Sequence, residues 1–289
     1  MPRSRGYSPF ETSPDQNNLL DAIVARAAQH GSSGVGVFDL DGCLFDTRSR
    51  QVHIFREFAS QTGTLELYDV NVTHFKDWDL GNTMTNAGIS ADRIAEVLDA
   101  IKAFWFDRFF TSRYVQFDHA MPGAVDLVKR CRDTGLKVVY LTGRDETMRA
   151  GTETALKGFG FPLDGDECRL IVKPDFKTDD TEFKDEALGV IAGMAEPVIF
   201  LDNEPANVNK FYERYPESMV VFVETDHSPR PDEPDATLPW LRSFSRHSMW
   251  RGLSAPELRS ARCLNSPKSK LWLKTWSGGS VGVEFPAWM

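Results

Sequence analysis

Asp39 and Asp41 stand two residues apart in FDLDG, Phe38 to Gly42, directly after a short apolar run. If that run is a strand, both carboxylates sit at its tip and can face one crevice. Gly42 lets the chain turn sharply there without a Cβ penalty. Two acids placed in this way can divide the work of nucleophile and general acid/base. In VVYLTGR, Val138 to Arg144, Thr142 brings a hydroxyl, Gly143 opens the backbone N–H groups that follow, and Arg144 offers a bidentate contact. Hydroxyl, loop amides and guanidinium together suit phosphoryl oxygens. The bland alternative is a turn closed by Thr and Gly with a solvated Arg. Lys184, near the start of a helix-like segment, can neutralise a nucleophile and an anionic substrate, and Lys173 in VKPDF is its rival. In IFLDNEPANV, Ile199 to Val208, Asp202 is a candidate ligand for a hard cation. Asn203 or Asn207 can complete its shell through a carboxamide oxygen or a bound water. Glu204 heads the next helix, where its charge suits the dipole.

These residues need a scaffold that gathers them. Strands are expected at Gly34 to Phe38, Lys137 to Leu141, Arg169 to Val172, Val198 to Leu201 and Met219 to Val223. Helices are expected at Gly123 to Arg132, Glu146 to Phe159, Thr181 to Met194 and Pro205 to Tyr215. Strands alternating with helices point to a parallel sheet covered on both faces, with ligands at the carboxyl ends of the strands. Thr47 to Ala120 is too long for a βα connection and is rich in aromatic residues, so it reads as an inserted helical subdomain with its own core around Trp105. At the N-terminus, Ser13 as N-cap and Pro14 open a helix that Leu19, Leu20, Ile23, Val24 and Ala27 continue and Gly31 ends. SPRPDEPDATLP reads as a linker, and Trp240 to Met289, which holds five of the seven tryptophans, shows no sustained period and receives no fold. The expected division is residues 1–30 as tail and helix, 31–46 with 121–226 as the α/β core, 47–120 as the insertion, and 227–289 as a C-terminal tail.

With 289 residues, 41% hydrophobic and 26% charged, the chain has the composition of a soluble globular protein with room for one α/β domain and an insertion. A formal net charge of -9 argues against binding extended nucleic acid, while a metal and a few local cations still admit a small anionic substrate. No apolar run is long enough to span a bilayer, and MPRSRGYSPF lacks the apolar core of a secretory signal. Cys43, Cys131, Cys168 and Cys263 are scattered, with no C-x-x-C pair and no zinc-like spacing. A reducing, cytoplasmic setting is the expectation.

Taken in order, Asp-x-Asp, Thr, Lys and Asp each follow successive strands or, for the lysine, a helix. In this the sequence resembles the haloacid dehalogenase-like (HAD) superfamily, whose four signature motifs share that order. The resemblance runs from about Val35 to Val223 and includes a helical cap inserted after the first motif. It implies a Rossmann-like doubly wound parallel sheet and a Mg²⁺-dependent phosphatase. Asp39 then matches the nucleophile that forms an aspartyl-phosphate. Asp41 matches the acid that protonates the leaving oxygen and later activates water. Thr142 and Lys184 match the groups that hold the phosphoryl oxygens, with Gly143 and Arg144 beside them. Asp202, Asp39 and the backbone carbonyl of Asp41 would bind Mg²⁺. The second aspartate disfavours carbon–halogen cleavage. Many relatives carry a further acid in the last motif, where this chain has Asn203 and Asn207, so its site holds less negative charge.

The expected substrate is a small phosphorylated metabolite or nucleotide, chosen by a cap hinged beside Asp46 and Pro122 that closes and excludes water. Three other readings use the same residues. A phosphatase for nucleic-acid ends is one, since TGR after the second strand also occurs in such enzymes. A phosphomutase would share both aspartates and differ in its product. A non-catalytic phospho-switch would also place Asp, Thr and Lys on a parallel sheet, but such domains are shorter and lack the insertion. The sequence carries no signal of oligomeric state.

Overall fold

The computed structural model describes residues 16–228 and 232–246. Ser13 and Pro14 lie outside the described residues, as does Cys263. The chain opens with α1 (Gln16–His30) and β1 (Gly34–Phe38), crosses a turn to β2 (Phe45–Asp46), and runs into α2 (Arg48–Thr62), α3 (Leu80–Asn86) and α4 (Ala91–Phe109). It returns through β3 (His119–Ala120) to α5 (Ala124–Asp133), β4 (Lys137–Asp145), α6 (Arg149–Phe159), β5 (Cys168–Lys173), α7 (Asp180–Ala192), β6 (Glu196–Asp202), α8 (Pro205–Arg214), β7 (Met219–Val223) and β8 (Trp240–Leu241).

Six strands form one sheet in the order β5-β4-β1-β6-β7-β8, and every pairing in it is parallel. The period of two explains how both faces are covered. Val138 and Tyr140 of β4 join the side packed by α1, α5 and α6, with Leu20, Leu127 and Leu156. Val139 and Leu141, one residue out of step, join the side packed by α7 and α8, with Leu188, Val208 and Phe211. The fold is therefore α/β with helices on both faces of a parallel sheet, as expected.

Between β1 and α5 the chain departs and comes back through a two-stranded antiparallel ribbon, Phe45 opposite Ala120 and Asp46 opposite His119. The helices of this excursion bury their own apolar cluster, which includes Phe55, Phe58, Met84, Ile101, Trp105 and Phe109. The region beyond His227, which received no fold from the sequence, is partly built into the core. Trp240 and Leu241 extend the sheet beside Phe222 and Val223, and Phe244 N–H donates to the Pro122 carbonyl at 2.9 Å. Two residues carry no periodicity, which is why the pattern missed this strand.

Candidate active site

All the strands are parallel, so their carboxyl ends meet along one edge, and the motif residues meet there too. β1 ends at Phe38, and Asp39 N–H donates to the Leu201 carbonyl at 2.9 Å, locking the first acid beside β6. Gly42 then turns with φ +76°; a Cβ there would lie 2.3 Å from Asn203 Nδ2 and 3.0 Å from the Asp226 carbonyl. Only glycine lets the loop after β7 press so close. Thr225 Oγ1 donates to the Gly42 carbonyl, and Asn203 Nδ2 donates to the Asp226 carbonyl at 2.6 Å. In β4 the register shifts between Leu141 and Asp145, so Thr142, Gly143 and Arg144 bulge out of the ladder toward the site. A Cβ on Gly143 would meet Asp180 Oδ2 at 2.6 Å.

The two candidate lysines keep different company, and only Lys184 contacts motif acids. Its Nζ donates to Asp39 Oδ1 at 2.6 Å and to Asp202 Oδ2 at 2.7 Å, so the acids of β1 and β6 share one cation. Lys173 Nζ lies 2.5 Å from Asp180 Oδ1 and donates to the Thr178 carbonyl at 3.0 Å. Asp202 is further fixed by Glu204 N–H at 2.8 Å and Asn207 Nδ2 at 3.1 Å. Burial pushes the Asp39 carboxyl well above the usual range, and the nearby charges of Asp202 and Asp41 add to the rise while Lys184 opposes it. Burial also works against the charged form of Lys184, but Asp202 and Asp39 outweigh it and raise its pKa.

Asp41 sits in different company. Arg144 Nε donates to Asp41 Oδ2 at 2.9 Å and Nη2 to Oδ1 at 2.6 Å, while Arg50 Nη2 reaches Oδ1 at 3.3 Å. Burial alone would raise this carboxyl, yet the guanidinium of Arg144, with Arg50 behind it, holds it at about 2. The bidentate contact expected from Arg144 to a phosphoryl group is thus made to Asp41 instead. Arg144 also donates to Asp118 Oδ2 at 2.7 Å and to Thr152 Oγ1 at 3.1 Å. The sequence reading missed Arg50 and Asp118. The polar run RSRQ gives no sign of burial, yet Arg48, Arg50 and Gln51 are all buried.

Glu204 heads α8, as expected. It stands at the N-cap position of α8 but makes no capping bond; its carboxylate accepts from Ser228 N–H and Ser228 Oγ, both at 2.7 Å. Asn207 serves Asp202 through its NH₂ group, whereas Asn203 Oδ1 is buried and has no hydrogen-bond partner among the described residues. Two carboxylates gathered on one cation, with an unpartnered carboxamide oxygen on the residue next to Asp202, form a hard-oxygen donor set that suits Mg²⁺. Among the described residues no three His, Cys, Asp or Glu side chains are grouped as a metal site.

These residues floor a cleft of about 620 Å³, with Asp39, Asp41, Thr142, Lys184 and Asn203 at its base. Trp78, Phe106, Phe109 and Phe110 from the inserted segment line another wall of it, and Phe176 from the loop after β5 packs edge-on against Phe110 at 4.8 Å. Trp105 itself is core, as expected, but its aromatic neighbours face the cleft.

A family model described as HAD superfamily, subfamily IIIB (acid phosphatase), matches residues 102–188. The match takes in Thr142 and Lys184; Asp39, Asp41 and Asp202 lie outside it. No match was found among curated proteins. Among solved structures, the chain is similar to Protein Tyrosine Kinase A (PtkA) of Mycobacterium tuberculosis, with 18% identity, TM-score 0.44, and coverage of 73% of this chain and 93% of that one. It is similar to a putative phosphatase from Clostridium difficile, with 12% identity, TM-score 0.45, and coverage of 68% and 87%. A class C acid phosphatase from Bacillus anthracis with tungstate bound gives 13% identity, TM-score 0.40, and coverage of 78% and 82%. With its parallel α/β sheet, its four motifs in order and the family match over the second and third of them, the chain is similar to the acid phosphatases of the HAD superfamily.

Proposed function

We propose that the protein is a Mg²⁺-dependent phosphomonoesterase that works through an aspartyl-phosphate on Asp39 and acts on a small phosphorylated molecule. The observation that carries this reading is the convergence of Asp39 and Asp202 on Lys184 at the floor of a cleft, with Thr142 beside them.

Asp39 Oδ attacks phosphorus, and the phosphoryl oxygens meet the Lys184 ammonium, the Thr142 hydroxyl and the amides after the β4 bulge. Masking charge is the first requirement, because an anionic nucleophile approaches an anionic substrate. Mg²⁺, held by the carboxylates of Asp39 and Asp202 and the main chain of Asp41, would supply further neutralisation when bound. The ester P–O bond breaks and the alcohol departs with a proton. Water then attacks the phosphoryl group, Asp41 accepts its proton, and Asp39 is released. Arg144 holds Asp41 ionised, which favours this second role; donating a proton to the leaving oxygen requires Asp41 to loosen from Arg144. The aromatic wall and the helices of residues 47–120 act as the cap that shapes the substrate space.

The test is phosphate release across a panel of phosphorylated metabolites and nucleotides, with and without Mg²⁺. Wild-type protein is expected to release free phosphate only with the metal, and Asp39→Asn to release none while keeping its circular dichroism spectrum. Undiminished release by Asp39→Asn would refute the assignment.

A further inference from the structure

We propose that Arg50 and Asp118 are positioning residues for the second half of this reaction: together with Arg144 they hold the Asp41 carboxylate as the acceptor for the water that cleaves the aspartyl-phosphate. The inference rests on the proposed function above and names residues that no motif contains.

Both ends of the inserted segment contribute. Arg50 lies in the first turn of α2, and Asp118 immediately precedes the returning strand β3. Asp118 receives two guanidinium groups: Arg50 Nε at 2.7 Å on Oδ1, and both Arg50 Nη2 and Arg144 Nη2 (2.7 Å) on Oδ2. The same two arginines turn to Asp41. Arg50 is anchored from behind, since its Nη1 donates to the Phe109 carbonyl at 2.9 Å and its guanidinium lies 4.3 Å from the centre of the Phe109 ring. Phe109 is also part of the cleft wall.

Stability does not explain such a cluster. Buried ion pairs seldom outdo well-packed apolar residues of similar volume, because removing charges from water costs as much as their attraction returns. Here the side chains of Arg50 and Asp118 are 0% exposed and that of Arg144 is 1% exposed, whereas that of Asp41 is 23% exposed and opens into the cleft. Three sealed charges thus orient one accessible carboxylate. Every group set against Asp41 in this cluster is an N–H donor, so its oxygens are kept as acceptors at a fixed angle. That suits taking a proton from water. A misplacement of about 1 Å at such a group costs about 100-fold in rate.

The experiment is pre-steady-state kinetics of full-length protein with Mg²⁺ and 4-nitrophenyl phosphate, comparing wild type with Asp118→Asn. The variant is expected to lose about 100-fold in kcat. Its KM should fall in parallel, so that kcat/KM stays within about threefold. A burst of nitrophenol should appear, and acid-quenched protein should carry a phosphoryl group. If kcat and kcat/KM fall together without a burst, or if neither changes, the positioning role is overturned. Should Asp118→Asn fail to fold, Arg50→Lys, which keeps the charge and loses the fork, carries the same comparison. Asp39→Asn separates the two levels: activity surviving in it refutes the proposed function, whereas an inactive Asp39→Asn beside a burst-free Asp118→Asn refutes only the positioning role.

Discussion

Lys184 bears two buried carboxylates at once, so its removal strands both. Lys184→Ala is expected to lower turnover by more than about 100-fold, the scale of losing one charge-stabilising group. It should also reduce unfolding free energy by about 3 kcal/mol, as when a buried ion pair is broken from one side. Lys173→Ala, whose partner Asp180 is half exposed, should cost less than about tenfold in turnover. Urea denaturation and steady-state kinetics on both variants check this, and the reverse order of losses would contradict it. Asp39, Asp41, Thr142 and Asp202 were legible because each sits at or near the carboxyl end of a strand, inside a compact motif. Their partners were legible to different degrees. Lys184 and Lys173 looked alike in sequence, and only the helix geometry separates them. Arg50 and Asp118 left no trace, because a buried arginine and an exposed one share the same letter and a charged run ordinarily marks a solvated face.

Secondary elements obeyed the pattern wherever a full period was available. β1 and β7 occupy Gly34–Phe38 and Met219–Val223, the bounds the apolar runs imply. β4 runs past Leu141 to Asp145, because its bulge keeps the strand going while Thr142 to Arg144 swing out of register. β8 has two residues and depends on the sheet edge next to it, so no local signal announces it. The tightest local constraint is the turn after β1. Gly42→Ala combines a positive φ with a Cβ 2.3 Å from Asn203 Nδ2. The left-handed backbone alone costs about 1–2 kcal/mol, and the clash also displaces Asn203 from the cation side of the site. A lowered urea midpoint together with weaker Mg²⁺ binding is the expected outcome. Loss of stability with unchanged metal affinity would show that the turn and the site are independent.

At the scale of the molecule, the parallel sheet gathers the acids and the inserted helices cover them. Asp39 and Asp202 share the single cation Lys184, so the proposed metal binding would be tied to pH and stability. Burial raises the Asp39 pKa above its unfolded value, so native Asp39 keeps a proton that the unfolded chain has already lost. Its stabilising contribution is therefore full below the unfolded pKa and is lost as pH rises through the folded one. On the proposed function, Mg²⁺ would compete with that proton. The melting temperature without metal should fall from mild acid toward neutrality and above, and the increase produced by Mg²⁺ should grow over the same range. Asp202→Asn should abolish the increase, as differential scanning fluorimetry would show; a metal effect independent of pH would contradict the linkage. The most direct test of the central claim is to quench wild-type protein with acid during turnover of 4-nitrophenyl phosphate and map the modified peptide by mass spectrometry. One phosphoryl group on the peptide bearing Asp39, and none in Asp39→Asn, is the result the proposed function predicts. A phosphoryl group on another residue, or rapid turnover with none trapped at Asp39 in either the wild type or the burst-forming Asp118→Asn variant, would contradict it.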